Sequence, residues 1–121
     1  MTVQRISAVT LAVRDMARAV DFYQRHVGLT LLYGGDTASF TSFAVGDGYL
    51  NLVLALDKDW SWWGRVIFYV DDVDALYQRL VNAGLTPSTV PRDAPWGERY
   101  FHISDPDGHE LSFARPLQSD A

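Results

Sequence analysis

The chain has 121 residues, 48% of them hydrophobic and 21% charged, the balance of one folded domain rather than a disordered or fibrous segment. It contains no cysteine, which excludes disulfides, thiolate nucleophiles and Cys-ligated zinc or iron–sulfur centres. Lys and Arg total 10 against 15 Asp and Glu, a formal charge of −5, which argues against nucleic-acid and anionic-membrane partners and in favour of a cationic ligand.

The first apolar run, residues 6–13, lies between Arg5 and Arg14 with no cleavage signal after it, and it is too short to span a bilayer. The expectation is a cytoplasmic protein. VTLAVRD at 9–15, overlapping that run, reads as a strand. Met16, Ala19, Val20, Tyr23 and Val27 then share one helical face, with Asp15 at the N-cap and Gly28 at the left-handed closing position. Residues 39–45 and 49–56 are strand-like and are joined by Gly46-Asp47-Gly48. Residues 57–63 are polar apart from Trp60, Trp62 and Trp63 and read as a linker.

The pattern then starts again. VIFYVDD at 66–72 repeats 9–15; Val73, Leu76, Tyr77 and Leu80 share a helical face, Asp72 stands at its N-cap and Gly84 ends it. Strand-like runs at 98–104 and 109–115 follow, joined by the turn sequence Asp105-Pro106-Asp107-Gly108, and the polar tail after Pro116 is expected to fray. Each half reads strand–helix–strand–strand–strand. Module one is expected over about 4–56 and module two over about 64–116, the two forming a single α+β domain over 1–121.

Two βαβββ modules of this size resemble the vicinal oxygen chelate superfamily of glyoxalases, bleomycin-resistance proteins and dioxygenases. The resemblance is carried by VTLAVRDMARAVDFYQRHVGL at 9–29, VIFYVDDVDALYQRLVNAG at 66–84 and WGERYFHISDPDGHELSF at 96–113. It implies a curved, cup-like mixed sheet with helices outside. It implies reaction poorly, because the scaffold hosts unrelated chemistries. In metal-using members the ligands come from the first and last strands of each module, positions that fall here on Ala8, Asn51, Arg65 and Ser112. None is an anionic or imidazole ligand, and an arginine repels a divalent cation. No metal and no other cofactor is expected.

Strand alternation sets Val9, Leu11, Val13, Val66, Phe68, Val70, Phe101 and Ile103 against the helices. The opposite face receives Ala8, Thr10, Ala12, Arg65, Ile67, Tyr69, Glu98, Tyr100, His102, Glu110 and Ser112, completed by Tyr49, Asn51 and Val53. Aromatic walls with few polar groups are the usual constitution of a small-molecule site. The expected ligand-binding set is Tyr49, Asn51, Trp62, Arg65, Tyr69, Glu98, Tyr100, His102, Glu110 and Ser112. His109, after a turn glycine, reads as a solvated loop residue, and His26 as a complement to a helix dipole. Three tryptophans within four residues of the linker, joined by Trp96, point to a dimer interface or a lid over the pocket. Asp57 and Asp59 beside them favour a flat or cationic ligand.

The leading expectation is a homodimer that sequesters a small, flat or cationic molecule without a metal, as in bleomycin resistance. The alternative is a metal-free or atypical glyoxalase-like isomerase, lyase or cyclase. In it Arg65 stabilises an oxyanion and His102 or Glu110 moves a proton. A ligand-free interaction module rests on the linker aromatics alone.

Overall fold

The computed structural model describes residues 1–57 and 59–117; the end of the polar tail and Lys58 of the linker lie outside the described residues. The chain forms two compact units, Met1–Trp60 and Ser61–Ala121, whose boundary falls inside the aromatic stretch 57–63.

The first unit runs β1 (Ala8–Val13), α1 (Met16–Val20), a π-helical continuation (Asp21–Val27), β2 (Thr30–Tyr33), β3 (Phe40–Val45) and β4 (Gly48–Leu54). Its sheet has the order β1-β4-β3-β2, with β1 parallel to β4 and the other pairs antiparallel. The second unit repeats the plan with β5 (Arg65–Tyr69), α2 (Val73–Asn82), β6 (Arg92–Asp93), β7 (Glu98–Ser104) and β8 (Glu110–Pro116), in the order β5-β8-β7-β6 with β5 parallel to β8. In each unit the first strand lies beside the last. Two parallel neighbours need a crossover, and in each unit the helix and the two intervening strands supply it.

Both helices start as the sequence predicts. Asp15 accepts a hydrogen bond from the Arg18 amide at 3.1 Å, and Asp72 one from the Ala75 amide at 3.0 Å. Gly28 and Gly84 close them at φ 93° and 89°, a conformation costly for any residue with a Cβ. Two strands end before the runs that predict them: β1 stops at Val13 rather than at residue 15, because Asp15 is already the helix cap, and β4 stops at Leu54 rather than at residue 56.

Alternation decides which face is core. In the first unit Leu11, Val13, Phe43, Leu50 and Leu52 are buried with Met16, Ala19, Val20, Phe22 and Tyr23 of the helical segment. Phe22 joins Tyr23 edge-on at 4.9 Å although the helical spacing left it out. The wider π turn brings two consecutive side chains to the same core face. In the second unit Phe68, Phe101, Ile103, Leu111 and Phe113 pack with Val73, Leu76 and Leu80. Phe113 stacks on Phe68 at 5.3 Å and lies 5.6 Å from Phe101, so one ring ties three strands together. The opposite face of each sheet carries the candidate site residues.

Candidate functional site

The register of the second sheet sets its open face in rows. Arg65 lies beside Glu110, which faces Ser104; Ile67 lies beside Ser112, which faces His102; Tyr69 lies beside Ala114, which faces Tyr100. Tyr100 in turn pairs with Arg92, and Glu98 with Pro116. The middle strand contributes low side chains, and Ser112 and Ala114 are buried. The flanking strands contribute the tall ones, with Ile67 and Tyr69 exposed on one side and Tyr100 and His102 half-buried on the other.

At one end of this face Glu110 collects three partners. The Trp62 indole N–H donates to its Oε1 at 2.7 Å. Arg65 Nε donates to its Oε2 at 3.0 Å, and Arg65 Nη2 lies at 3.0 Å from the same oxygen. His102 Nδ1 lies 3.2 Å from Oε2. The indole hydrogen bond, then the hydrogen bond and charge of Arg65, hold the Glu110 carboxyl below the usual range. Burial and the charge of Arg65 push the His102 imidazole down against the opposing pull of Glu110, so it favours its neutral form.

At the other end Glu98 is held by neutral donors. The Trp96 indole N–H reaches its Oε1 at 3.0 Å, and the Tyr69 hydroxyl donates to its Oε2. That hydrogen bond, together with desolvation and the neighbouring negative charge, raises the Tyr69 phenol, which stays protonated. Trp96 stacks on Tyr100 at 5.6 Å, and Tyr100 lies 5.1 Å from His102. Arg92 donates from Nε to the Tyr100 hydroxyl at 3.0 Å, its guanidinium carbon 5.5 Å from that ring's centroid. Arg99, next to Glu98 in sequence, alternates to the other face and is held by Asp74 and Asp93.

On the first sheet's open face Tyr49, Asn51 and Val53 are spaced along β4, with Tyr49 and Val53 exposed and Asn51 half-buried. Asn51 Nδ2 donates to Thr10 Oγ1 at 3.4 Å, consistent with their pairing across β1 and β4. Seven of the predicted site residues, Arg65, Tyr69, Glu98, Tyr100, His102, Glu110 and Ser112, share the second sheet's open face, and Trp62 is bonded to that face through Glu110. Tyr49 and Asn51 belong to the first unit.

One expectation is corrected. His109 is not a solvated loop residue: it is 8% exposed, and its Nδ1 accepts the Trp63 indole N–H at 2.8 Å. Its amide donates to Asp105 Oδ1, which also accepts from the Asp107 amide, so the 105–108 turn is built around that carboxylate. His26 has a closer role than dipole compensation, with Nε2 3.4 Å from Asp21 Oδ2. Arg92 went unnoticed in the sequence. It follows Pro91 in a strand of two residues, too short for alternation to register.

The resemblance implies a metal in many relatives, and the donor set does not fit one. Ala8 offers a methyl group, Asn51 an amide already bonded to Thr10, Arg65 a cation bound to Glu110, and Ser112 a neutral hydroxyl. Among the described residues no three His, Cys, Asp or Glu side chains gather in a way that could hold a metal ion. None of the described helices is long and apolar enough to cross a membrane.

Two βαβββ units with a mixed four-stranded sheet each define a glyoxalase-type fold. The sequence model of the Glyoxalase/Bleomycin resistance protein/Dioxygenase superfamily matches residues 5–113, and the chain belongs to that superfamily. It is similar to the bleomycin resistance protein of Geobacillus stearothermophilus, with 28% identity over 131 aligned positions covering 93% of this chain and 98% of that protein. It is also similar to an uncharacterized protein of Mycobacterium bovis, 47% identical over 49 residues that cover 40% of this chain. The matched stretch spans only 32% of that mycobacterial protein's length. Among solved structures it is similar to TioX from Micromonospora sp. ML1, at 28% identity and a TM-score of 0.76, covering 94% of this chain and 100% of that one.

Proposed function

We propose that this protein binds and sequesters a small, flat or cationic molecule without a metal, working as a cytoplasmic homodimer. The observation that carries the reading is the Arg65–Glu110 pair at 3.0 Å. A guanidinium, already neutralised by a carboxylate, occupies a position that metal-using relatives give to a ligand. The aromatic groups on the same face and the net charge of −5 support a ligand of that kind. The similarity to a bleomycin resistance protein supports it further. The test is a calorimetric titration with metal-free bleomycin in excess EDTA. The expected outcome is saturable binding at micromolar concentration or tighter, unchanged by the chelator, with drug recovered unaltered by mass spectrometry. Binding that requires an added divalent cation overturns the reading.

A metal-free enzyme on the same face is the second reading. Its support is His102, held 3.2 Å from Glu110 in the neutral form that a general base needs. Recovery of a chemically changed ligand favours it.

A further inference from the structure

The proposed ligand carries positive charge, and the second sheet's open face offers two carboxylates to meet it, Glu98 and Glu110. They are not equivalent. Glu110 already faces Arg65, and the guanidinium both neutralises it and stands where an incoming cation would be repelled. Among the described residues Glu98 is held by the Trp96 indole and the Tyr69 hydroxyl, which carry no charge. The cationic groups nearest to it in the sheet are engaged elsewhere: Arg92 with Tyr100, Arg99 with Asp74 and Asp93, and Arg115 with the Asp71 carbonyl. Neutral donors orient the carboxylate without setting a guanidinium beside it. The two donors are themselves aromatic, and both rings are mostly exposed, Trp96 at 67% and Tyr69 at 64%.

Resting on the binding reading above, we infer that Glu98, framed by the Trp96 and Tyr69 rings, is the subsite for the ligand's positive charge, and that Glu110 is not. The class of ligand is a planar aromatic cation. Its ring stacks on an exposed indole or phenol while its charge meets a carboxylate anchored by those same two side chains. The separation of the two ends gives the assignment a consequence in space. Glu98 pairs with Pro116 and Arg65 with Glu110, at opposite ends of β8. Six residue steps of strand put the two carboxylates' backbones about 20 Å apart. A compact cation therefore reports on one end alone.

The test uses two probes of nearly the same shape, the permanent cation N-methylacridinium and neutral acridine, titrated at pH 7.5 by tryptophan quenching and calorimetry. The wild type is expected to prefer the cation by about tenfold. Glu98→Gln, which keeps the side chain's size and an acceptor oxygen for the indole, is expected to reduce that preference to about twofold while acridine affinity holds. Tyr69→Phe keeps the ring but removes one of the two hydrogen bonds that hold the carboxylate, and is expected to lower the preference part of the way, to about fivefold; a preference equal to or above the wild type's would overturn the anchoring by Tyr69, and a melting curve for each variant confirms folding. A preference that survives Glu98→Gln, or equal loss of both probes in a folded variant, overturns the Glu98 assignment and leaves sequestration standing. Failure of the wild type to bind either probe or bleomycin overturns both.

Discussion

Glu110 and His102 sit 3.2 Å apart, yet each is shifted downward, the carboxyl by the Trp62 and Arg65 donors and the imidazole by burial and Arg65. The two shifts have one sign in their effect on stability. The unfolded chain takes up each proton more readily than the folded chain, so the stability each group contributes is present above its unfolded value and is lost as pH falls. For His102 the loss begins below its ordinary 6.5, and for Glu110 below 4.5. Wild-type melting temperature should therefore fall more steeply as pH drops below 6.5 than that of His102→Gln. Thermal melts across a pH series check this. A variant curve at least as steep would mean that Glu110 stabilises the imidazolium more than burial opposes it. The facing of these residues was legible in the sequence, because alternation along β5, β7 and β8 gathers Arg65, Tyr100, His102 and Glu110 on one side. The bonds of Trp62, Trp63 and Trp96 were not. They depend on where loop backbones place long side chains, which no periodic pattern encodes.

Helix starts and stops were also legible, since each rests on local chemistry within a few residues. Asp72 satisfies one of the amides that the first turn of α2 leaves without a backbone partner. α2 packs Val73, Leu76 and Leu80 beneath the second sheet, so loosening its first turn weakens the core that supports the binding face. Asp72→Ala should cost about 0.5–2 kcal/mol, the usual worth of such a cap. Urea unfolding should show a lower midpoint with an unchanged slope; a changed slope would mean that the cap alters compactness as well as stability. The π turn at Asp21–Val27 lay beyond reading, because its apolar spacing looks α-helical until Phe22 and Tyr23 are both seen buried. β6 was hidden for a different reason: its two residues, Arg92 and Asp93, are polar and gain their place only by pairing with Tyr100 and Arg99.

The molecule exposes more aromatic surface than its size requires. Tyr33, Tyr49, Trp60, Trp62, Trp63, Tyr69 and Trp96 are all at least 45% exposed. Single exposed rings are ordinary, but so many of them favour a partner surface. The sheets add to this, with β1 and β2 bounding the first and β5 and β6 the second, and open edges are features that natural proteins cover or blunt. Against association stands the charge of −5 on each copy, which opposes bringing two chains together. The two effects respond oppositely to salt. Screening weakens the repulsion, with the Debye length shrinking from about 10 Å at 0.1 M to about 3 Å at 1 M, while burial of aromatic surface persists. Sedimentation should therefore find a dimer at tens of micromolar that tightens as sodium chloride rises from about 0.05 to 0.5 M. A monomer at high micromolar concentration across that range would remove the dimer from the proposal. A dimer that loosens with salt would place ion pairs rather than rings at its interface.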